Sequence, residues 1–452
     1  AEKYLKSEKL RRLKKIKSIQ LPYTASNIAP IIRGIVSRDS KYIVNFRQNS
    51  KILEVINCQQ AKKFLSAGVV TPDHVLRIKP SMLVINLDDC KNIQEVEKKT
   101  IKEIDNFRKS YVSYFRKYNR LKYKNSILDS APQIIAIQNM GIFSVGKDLS
   151  SSIINGDVGE MAIKIIGNIQ KKTDFTSISM KDIFDVEYWS LEQAKLKKLS
   201  LPLTGTITVI TGGAGVIGLA TANKFKQMGS EVIILDIDKK KLTNRVIKDN
   251  FESYYCDVRK RFSYKKILMD ICKKYGGIDY VISNAGNAFQ HEIASISDKD
   301  LLKSFETNLF SHQVIASEST MIFKKQNIGG CLLFNISKQA INPGLNFGAY
   351  GLPKSALLSL CKQYALEYGH LGIRSNGVNA DRIESGLLTS DMIRKRSKSR
   401  KISIKKYLSG NLLKKEVFAE DVADAFYNLS ISKKTTAAIL TVDGGNIEAS
   451  LR

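Results

Sequence analysis

The pattern of apolar positions divides the chain in two. Before about residue 195, short apolar runs such as Ile52-Leu53-Glu54-Val55-Ile56 and Leu83-Val84-Ile85 are mixed with turn signals. Residues 92–118 carry the clearest amphipathic pattern. Ile93, Val96, Ile101, Ile104, Phe107, Tyr111 and Tyr114 recur at steps of three to five, which predicts a helix with one buried face. Gln133-Ile134-Ile135-Ala136-Ile137 reads as a buried strand, Gly141-Ile142-Phe143-Ser144-Val145-Gly146 follows it, and a helix is expected around 157–170. Residues 1–20 read as a basic, helix-like lead-in. The lysine-rich stretch Lys195–Ser200, with Pro202 after it, marks a linker.

From about 204 the pattern changes. Apolar strands at 206–210, 231–235, 279–283 and 331–336 alternate with helix-length segments. A last strand, Ala438-Ile439-Leu440-Thr441-Val442, ends in Asp443-Gly444-Gly445. Near-continuous apolar strands alternating with helices predict an α/β fold, a doubly wound parallel sheet with helices on both faces. The expected organisation is a smaller α/β domain over 1–195, a linker over 196–203 and a larger α/β domain over 204–452.

Composition narrows the reading. The 452 residues suffice for two or three domains with real cores. No apolar run approaches the ~20 residues of a membrane helix, and Ala1-Glu2-Lys3-Tyr4-Leu5 lacks the apolar core of a secretory leader. The chain opens without Met, consistent with processing or with a piece of a longer protein. Six scattered cysteines with no C-x-x-C pair point to a reducing cytoplasm. The formal charge of +29 could attract nucleic acid or anionic membrane. However, neither dense segment, Lys3–Lys17 or Arg394–Lys406, carries a nucleic-acid module. Lysine enrichment over solvated faces is the favoured reading, with no specific nucleic acid and no membrane partner.

The candidate chemistry lies after residue 204. Thr211-Gly212-Gly213-Ala214-Gly215-Val216-Ile217-Gly218 directly follows the apolar run Ile207–Ile210 and leads into a helix expected to begin near Gly218. Glycines there let the backbone approach a pyrophosphate, and the helix start supplies unpaired N–H groups. A glycine pattern alone is a weak sign; its place between strand and helix strengthens it. Asp236 ends the second strand, where an acid can bond a ribose diol and repel a 2′-phosphate, favouring NAD over NADP. It could instead only cap a turn, and Asp238 could share its role. Further on stand Ser337, Tyr350 and Lys354. Tyr350 and Lys354 are four apart, on one face of a helix. Free tyrosine titrates at about pH 10, too high for a base at neutrality, and a neighbouring ammonium together with the positive nicotinamide of NAD⁺ favours the phenolate. Tyr350 is then the candidate base, Ser337 orients the substrate oxygen, and Lys354 tunes Tyr350. The four histidines, 74, 291, 312 and 370, are far apart, so no metal site is expected. His74, in Thr71-Pro72-Asp73-His74, reads as a turn residue.

On these residues the region 204–452 resembles the short-chain dehydrogenase/reductase family. The T-G-x-x-x-x-x-G loop, Cys256-Asp257-Val258, Asn284-Ala285-Gly286, Asn308, Ser337 and Tyr350-x-x-x-Lys354 occur in the family's order. The resemblance implies a Rossmann-type sheet and a homo-oligomer formed through this domain. It implies NAD bound by Thr211, Gly212, Gly215, Ile217, Gly218, Asp236, Asp257, Val258, Asn284, Ala285, Gly286, Tyr350, Lys354 and Ile383. It also implies a catalytic set of Asn308, Ser337, Tyr350 and Lys354, with Asn308 holding a water that links Lys354 to solvent. Two departures stand out: Val216 replaces the middle glycine, and Asn379-Ala380-Asp381-Arg382-Ile383 replaces a Pro-Gly segment beside the nicotinamide and substrate.

Further residues are similar to the bifunctional class II aldolase/short-chain dehydrogenase proteins of rhamnose-type sugar breakdown. They are Gly68-Val69-Val70-Thr71-Pro72-Asp73-His74, Phe184-Asp185-Val186-Glu187-Tyr188-Trp189, Gly344–Lys354, Asn376-x-x-Asn379-Ala380-Asp381-Arg382-Ile383-x-Ser385-Gly386-Leu387 and Thr441–Ile447. That resemblance implies a small hydroxyaldehyde, polyol or deoxysugar derivative, lactaldehyde-like, as substrate. Asn139-Met140-Gly141 stands where an aldolase ligand histidine would be, so no aldolase activity is expected. The rivals are an aldolase-linked sugar-phosphate enzyme with a metal on His74, and a catalytically weak dinucleotide-binding scaffold.

Overall fold

The computed structural model describes residues 11–119, 126–196, 200–243 and 250–446. Two compact units divide the chain: residues up to 200 together with 271–277, and residues 201–270 together with 278 onward.

The first unit is built on a four-stranded sheet of β1 (Ile43–Arg47), β2 (Leu83–Ile85), β3 (Ile134–Ile137) and β4 (Gly141–Gly146), in the order β1-β4-β3-β2. β4 runs antiparallel to both neighbours, and β2 parallel to β3. Period-two alternation serves both faces. Ile135 and Ile137 of β3 pack with helices Ala25–Val36 and Ile93–Tyr118, whereas Ile134 and Ala136 pack with Leu149–Gln170. The expected helix over 92–118 forms as Ile93–Tyr118, capped by the Asn92 side chain accepting from Glu95 N–H. The helix expected around 157–170 begins earlier, at Leu149, because Asp148 caps it through Ser151 N–H. The basic lead-in is corrected. Residues 11–20 are not helical, and Lys15 bridges antiparallel to Cys58; residues 1–10 lie outside the described residues. The run 52–56 sits in a helix, Ser50–Ile56, started by an Asn49 cap.

A buried polar knot closes this unit. Lys79 Nζ lies 3.9 Å from Glu187 Oε1 and 3.8 Å above the Tyr111 ring. The Tyr111 hydroxyl donates to Glu187 at 2.8 Å and lies 2.9 Å from the Tyr188 hydroxyl.

The second unit is a seven-stranded, all-parallel sheet. Its strands are β5 (Ile207–Thr211), β6 (Glu231–Asp236), β7 (Glu252–Tyr255), β8 (Tyr280–Ser283), β9 (Gly330–Asn335), β10 (Ile373–Ala380) and β11 (Ile439–Val442). The order β11-β10-β9-β8-β5-β6-β7 reverses direction between β5 and β8, and ligands bind such sheets in the crevice at that reversal. Ile210, Ile234, Ile282, Leu333 and Val378 share one core with helices Val216–Gln227 and Ala419–Ile431. β10 escaped sequence reading because it carries Arg374, Asn376 and Asn379. Two of these find partners far along the chain: Arg374 donates to the carbonyls of Leu429, Ser430 and Thr435, and Asn376 to that of Thr435.

Candidate active site

Three strand ends are stitched together at the crevice. The Thr211 hydroxyl accepts from Asn284 N–H at 3.1 Å and Ala285 N–H at 3.2 Å. The Asn284 amide donates to the Thr211 and Gly212 carbonyls, both at 3.1 Å, and accepts from the Asn335 side chain at 2.7 Å. Gly212 has φ +61°, and a Cβ on it would lie 2.9 Å from Ala285 Cα. A Cβ on Gly218 would meet the Gly212 carbonyl at 2.4 Å. These two glycines therefore let loop, helix and β8 close together. The helix begins at Val216, two residues before the expected start, with Gly215 as its cap.

The cleft above this loop has a volume of about 640 Å³. Gly212, Gly215, Ile217, Gly218, Asp236, Asp257, Val258, Asn284, Ala285 and Gly286 line it. Its charges are mostly paired. Arg259 forks onto Asp257 at 2.8 and 2.9 Å, and Lys241 lies 3.3 Å from Asp238. The Arg259 guanidinium holds the Asp257 carboxyl below the usual range. Asp238 is a helix cap, accepting from Lys240 and Lys241 N–H. Asp236 accepts from Ala214 N–H at 3.0 Å and Asp238 N–H at 2.9 Å but has no cationic partner among the described residues. Each of its oxygens accepts one of these bonds and retains further acceptor capacity, and the residue lines the cleft.

Tyr350 and Lys354 lie one turn apart on helix Gly348–Tyr368. Both are buried, Tyr350 to 8% exposure and Lys354 to 2%. Lys354 Nζ donates to the Asn335 carbonyl at 2.8 Å and stands 5.8 Å from the Tyr350 ring centroid. The Ser337 hydroxyl acts on the Tyr350 phenol, favouring its ionised form. Burial dominates both titrations. The phenol is pushed up to about 12, with Ser337 opposing, and the ammonium is pushed down to about 7. Desolvation penalises each charged form before a second charge arrives to favour the pair. Tyr350, Ser337 and Ile383 line a second cavity, with about 130 Å³ of room.

Asn308 acts on backbone rather than on Lys354 directly. It sits in a wide π-helical turn, Glu306–Phe310, and its amide clamps Asn287, accepting from N–H at 3.0 Å and donating to C=O at 2.8 Å. It also donates to the Ser304 hydroxyl at 3.1 Å, and Ser304 donates to the Ala349 carbonyl at 2.7 Å. That carbonyl lacks its helical donor because residue 353 is proline. Pro353, lying between Tyr350 and Lys354 in sequence, thus ties their helix to Asn308. Sequence reading missed Ser304, Asn335 and this use of Pro353; the only visible sign was a proline inside a helical pattern. His312 is fully buried behind the loop, with Nδ1 2.6 Å from the Ser283 hydroxyl, and burial with the nearby Lys354 charge keeps it neutral.

Among the described residues no group of three metal-ligating side chains gathers. His74 ends a short 3₁₀ turn, and Asn139 fills the β3–β4 turn with φ +62°, bonding Asp88 at 3.2 Å.

Residues 212–446 match the family described as enoyl-(acyl carrier protein) reductase, more than half of the chain. The chain belongs to the short-chain dehydrogenase/reductase family. Residues 23–196 match the family described as aldolase class II, second domain, so the dehydrogenase/reductase unit is fused to an aldolase-like one. An uncharacterized oxidoreductase, YuxG, of Bacillus subtilis is 29% identical over 443 residues. The match covers 93% of this chain and 63% of that protein, so the chain spans less than two thirds of its relative's length. (+)-Borneol dehydrogenase 1 of Salvia officinalis is 28% identical, over 55% of this chain and 95% of that one. Levodione reductase shares the fold at a TM-score of 0.50 and 21% identity, covering 55% of this chain and 99% of that structure.

Proposed function

We propose that this chain is an NAD-dependent oxidoreductase acting on the CH–OH or carbonyl group of a small hydroxyaldehyde, polyol or deoxysugar derivative. The observation that carries this reading is the Tyr350 phenol. It faces a small cavity beside the dinucleotide-type cleft, with Ser337 on the same cavity wall and backed by Lys354. The glycine contacts and the unpaired Asp236 fit a dinucleotide with a free ribose diol. When bound, the nicotinamide would supply the hydride acceptor or donor. Tyr350 Oη exchanges the proton of the substrate oxygen, and Ser337 Oγ fixes that oxygen by a hydrogen bond. Lys354, anchored on the Asn335 carbonyl, places its charge beside the phenol and favours the phenolate. Asn308 keeps the Asn287 backbone and, through Ser304, the Tyr350 helix in register.

The cavity of about 130 Å³ suits a small substrate, well below the ~300–1,000 Å³ of drug-sized sites. The proposed setting is sugar catabolism in the cytoplasm, as a homo-oligomer formed through 204–452. Six free, buried cysteines accord with a reducing compartment. Residues 1–195 are read as an aldolase-derived domain without aldolase activity; stoichiometric zinc in the purified protein would contradict this. The main test is turnover of NAD⁺ and NADP⁺ against a panel of small polyols and hydroxyaldehydes. Dinucleotide binding without turnover of any member would favour the scaffold reading.

A further inference from the structure

The basic run Arg394–Lys406 has a definite place. It forms helices Ser390–Ser399 and Ile404–Leu408, held by a small separate core of Leu388, Ile393, Tyr407 and Leu408. That core seats Arg396 at the wall of the cavity containing Tyr350. The Arg396 guanidinium stands 4.9 Å over the Phe347 ring, whose centroid is 6.4 Å from that of Tyr350.

Two other cations line the same cavity, Lys338 and Arg382, against one carboxylate, Asp381. Asp381 is already engaged by Lys338 at 2.8 Å and by the Asn446 amide at 2.6 Å. Arg382 donates to the Tyr407 carbonyl at 3.1 Å and lies 3.6 Å from Asp381. Arg396 has no carboxylate within ion-pair distance among the described residues. A half-buried guanidinium over an aromatic ring, in a cavity with surplus positive charge, is complementary to an anion. Its planar fork matches the paired oxygens of a carboxylate or phosphate. The segment Asn379–Ile383, which departs from the family pattern, supplies the Asp381 and Arg382 part of this wall.

We infer that the substrate carries an anionic group, a phosphate ester or a carboxylate, bound by Arg396 while Tyr350 meets the reacting hydroxyl. This rests on the reading of Tyr350 given above. The test is calorimetry on the full chain saturated with reduced dinucleotide, so that alcohols cannot react, using glycerol, glycerate and glycerol 3-phosphate. At least one anion should bind about tenfold or more tighter than glycerol, the worth of one charge-assisted contact. Glycerate alone would name a carboxylate source, and glycerol 3-phosphate alone a phosphoryl one. R396Q should bring the anion-to-glycerol ratio toward one, and R396K should restore part of it. Equal binding of all three probes, absent binding included, or an unchanged ratio in R396Q overturns the inference. Turnover is read separately with oxidised dinucleotide. Anion preference without turnover counts against the dehydrogenase reading and sustains only the anion site at Arg396; turnover without preference overturns the anion site and leaves the dehydrogenase reading standing.

Discussion

Each unit buries a lysine beside a tyrosine, and the two pairs differ in what surrounds them. Lys79 lies 3.8 Å from the Tyr111 ring, with Glu187 at 3.9 Å and the Tyr111 hydroxyl tied to Glu187 and Tyr188. Lys354 lies 5.8 Å from the Tyr350 ring, with no carboxylate partner among the described residues and only the Asn335 carbonyl as acceptor. Burial lowers both lysines, but Glu187 draws Lys79 back upward, whereas nothing offsets burial at Lys354. The Tyr111 hydroxyl is occupied inside the core; Tyr350 faces a cavity. The same two residue types thus make a lock in one unit and, in the proposed mechanism, a reactive group in the other. What separates them is whether the fold satisfies the charge or leaves that to a ligand.

The largest expected effect tests this contrast directly. Tyr350→Phe keeps the ring and removes the exchanging oxygen, so turnover should fall by roughly 10²–10⁴ while dinucleotide binding persists. Tyr111→Phe should leave the rate alone and instead cost about 1–3 kcal/mol of stability, because Glu187 loses a buried donor. Rates in both variants, with urea unfolding, decide the matter. A near-normal rate for Tyr350→Phe would remove the proposed mechanism, whatever the fold.

How much of this was legible follows from the range of each interaction. Tyr350 and Lys354 could be paired from sequence because four residues on a helix fix their common face, and the glycine loop because strand, loop and helix are contiguous. β10 was not legible, since its Arg374, Asn376 and Asn379 break the apolar pattern, and two of these find partners in the distant segment 429–438. The Ser304–Ala349 bond joins residues 45 apart, and nothing local announces it. The basic run was visible only as charge; its orientation depends on the Leu388–Tyr407 core. Burial, which raises the Tyr350 phenol, cannot be read from a sequence, whereas the neighbouring ammonium can.

The second prediction concerns Lys354 itself. Its folded value, about 7, lies below the ordinary 10.5, so between these limits the unfolded chain holds one more proton than the native one. Raising the pH therefore stabilises the protein from about 7 until tyrosine ionisation in the unfolded chain opposes it near 10. The gain should be on the order of a few kcal/mol. Lys354→Met should flatten this slope, and Lys79→Met should alter it less, because Glu187 shares that titration. Parallel unfolding curves for wild type and Lys354→Met across this range would show that Lys354 is not desolvated, and the contrast between the units would fail.

Cofactor choice comes third. Asp236 meets the cleft without a cationic partner among the described residues, while Asp238 and Asp257 are paired with Lys241 and Arg259. NADH should bind better than NADPH, and Asp236→Ala should shrink the preference by about tenfold, about 1.4 kcal/mol. A tenfold preference of the native protein for NADPH would mean that nearby lysines, 239–241, outweigh the carboxylate.

The smallest expected effect lies in the chain from Pro353 to Asn308. Ser304→Ala removes the donor to the Ala349 carbonyl and the acceptor for the Asn308 amide, leaving both buried groups short of a partner. The cost should be about 1–3 kcal/mol of stability. Pro353→Ala alone should be nearly neutral, because the restored N–H competes with Ser304 for one carbonyl. In the double variant the backbone N–H restored at position 353 can bond the Ala349 carbonyl without competition, so part of the Ser304→Ala cost should return. A coupling energy of about 1 kcal/mol in a double-mutant cycle would identify the link. Strict additivity would show that the proline and the serine act independently, and that the Tyr350 helix is held in register by packing rather than through Asn308.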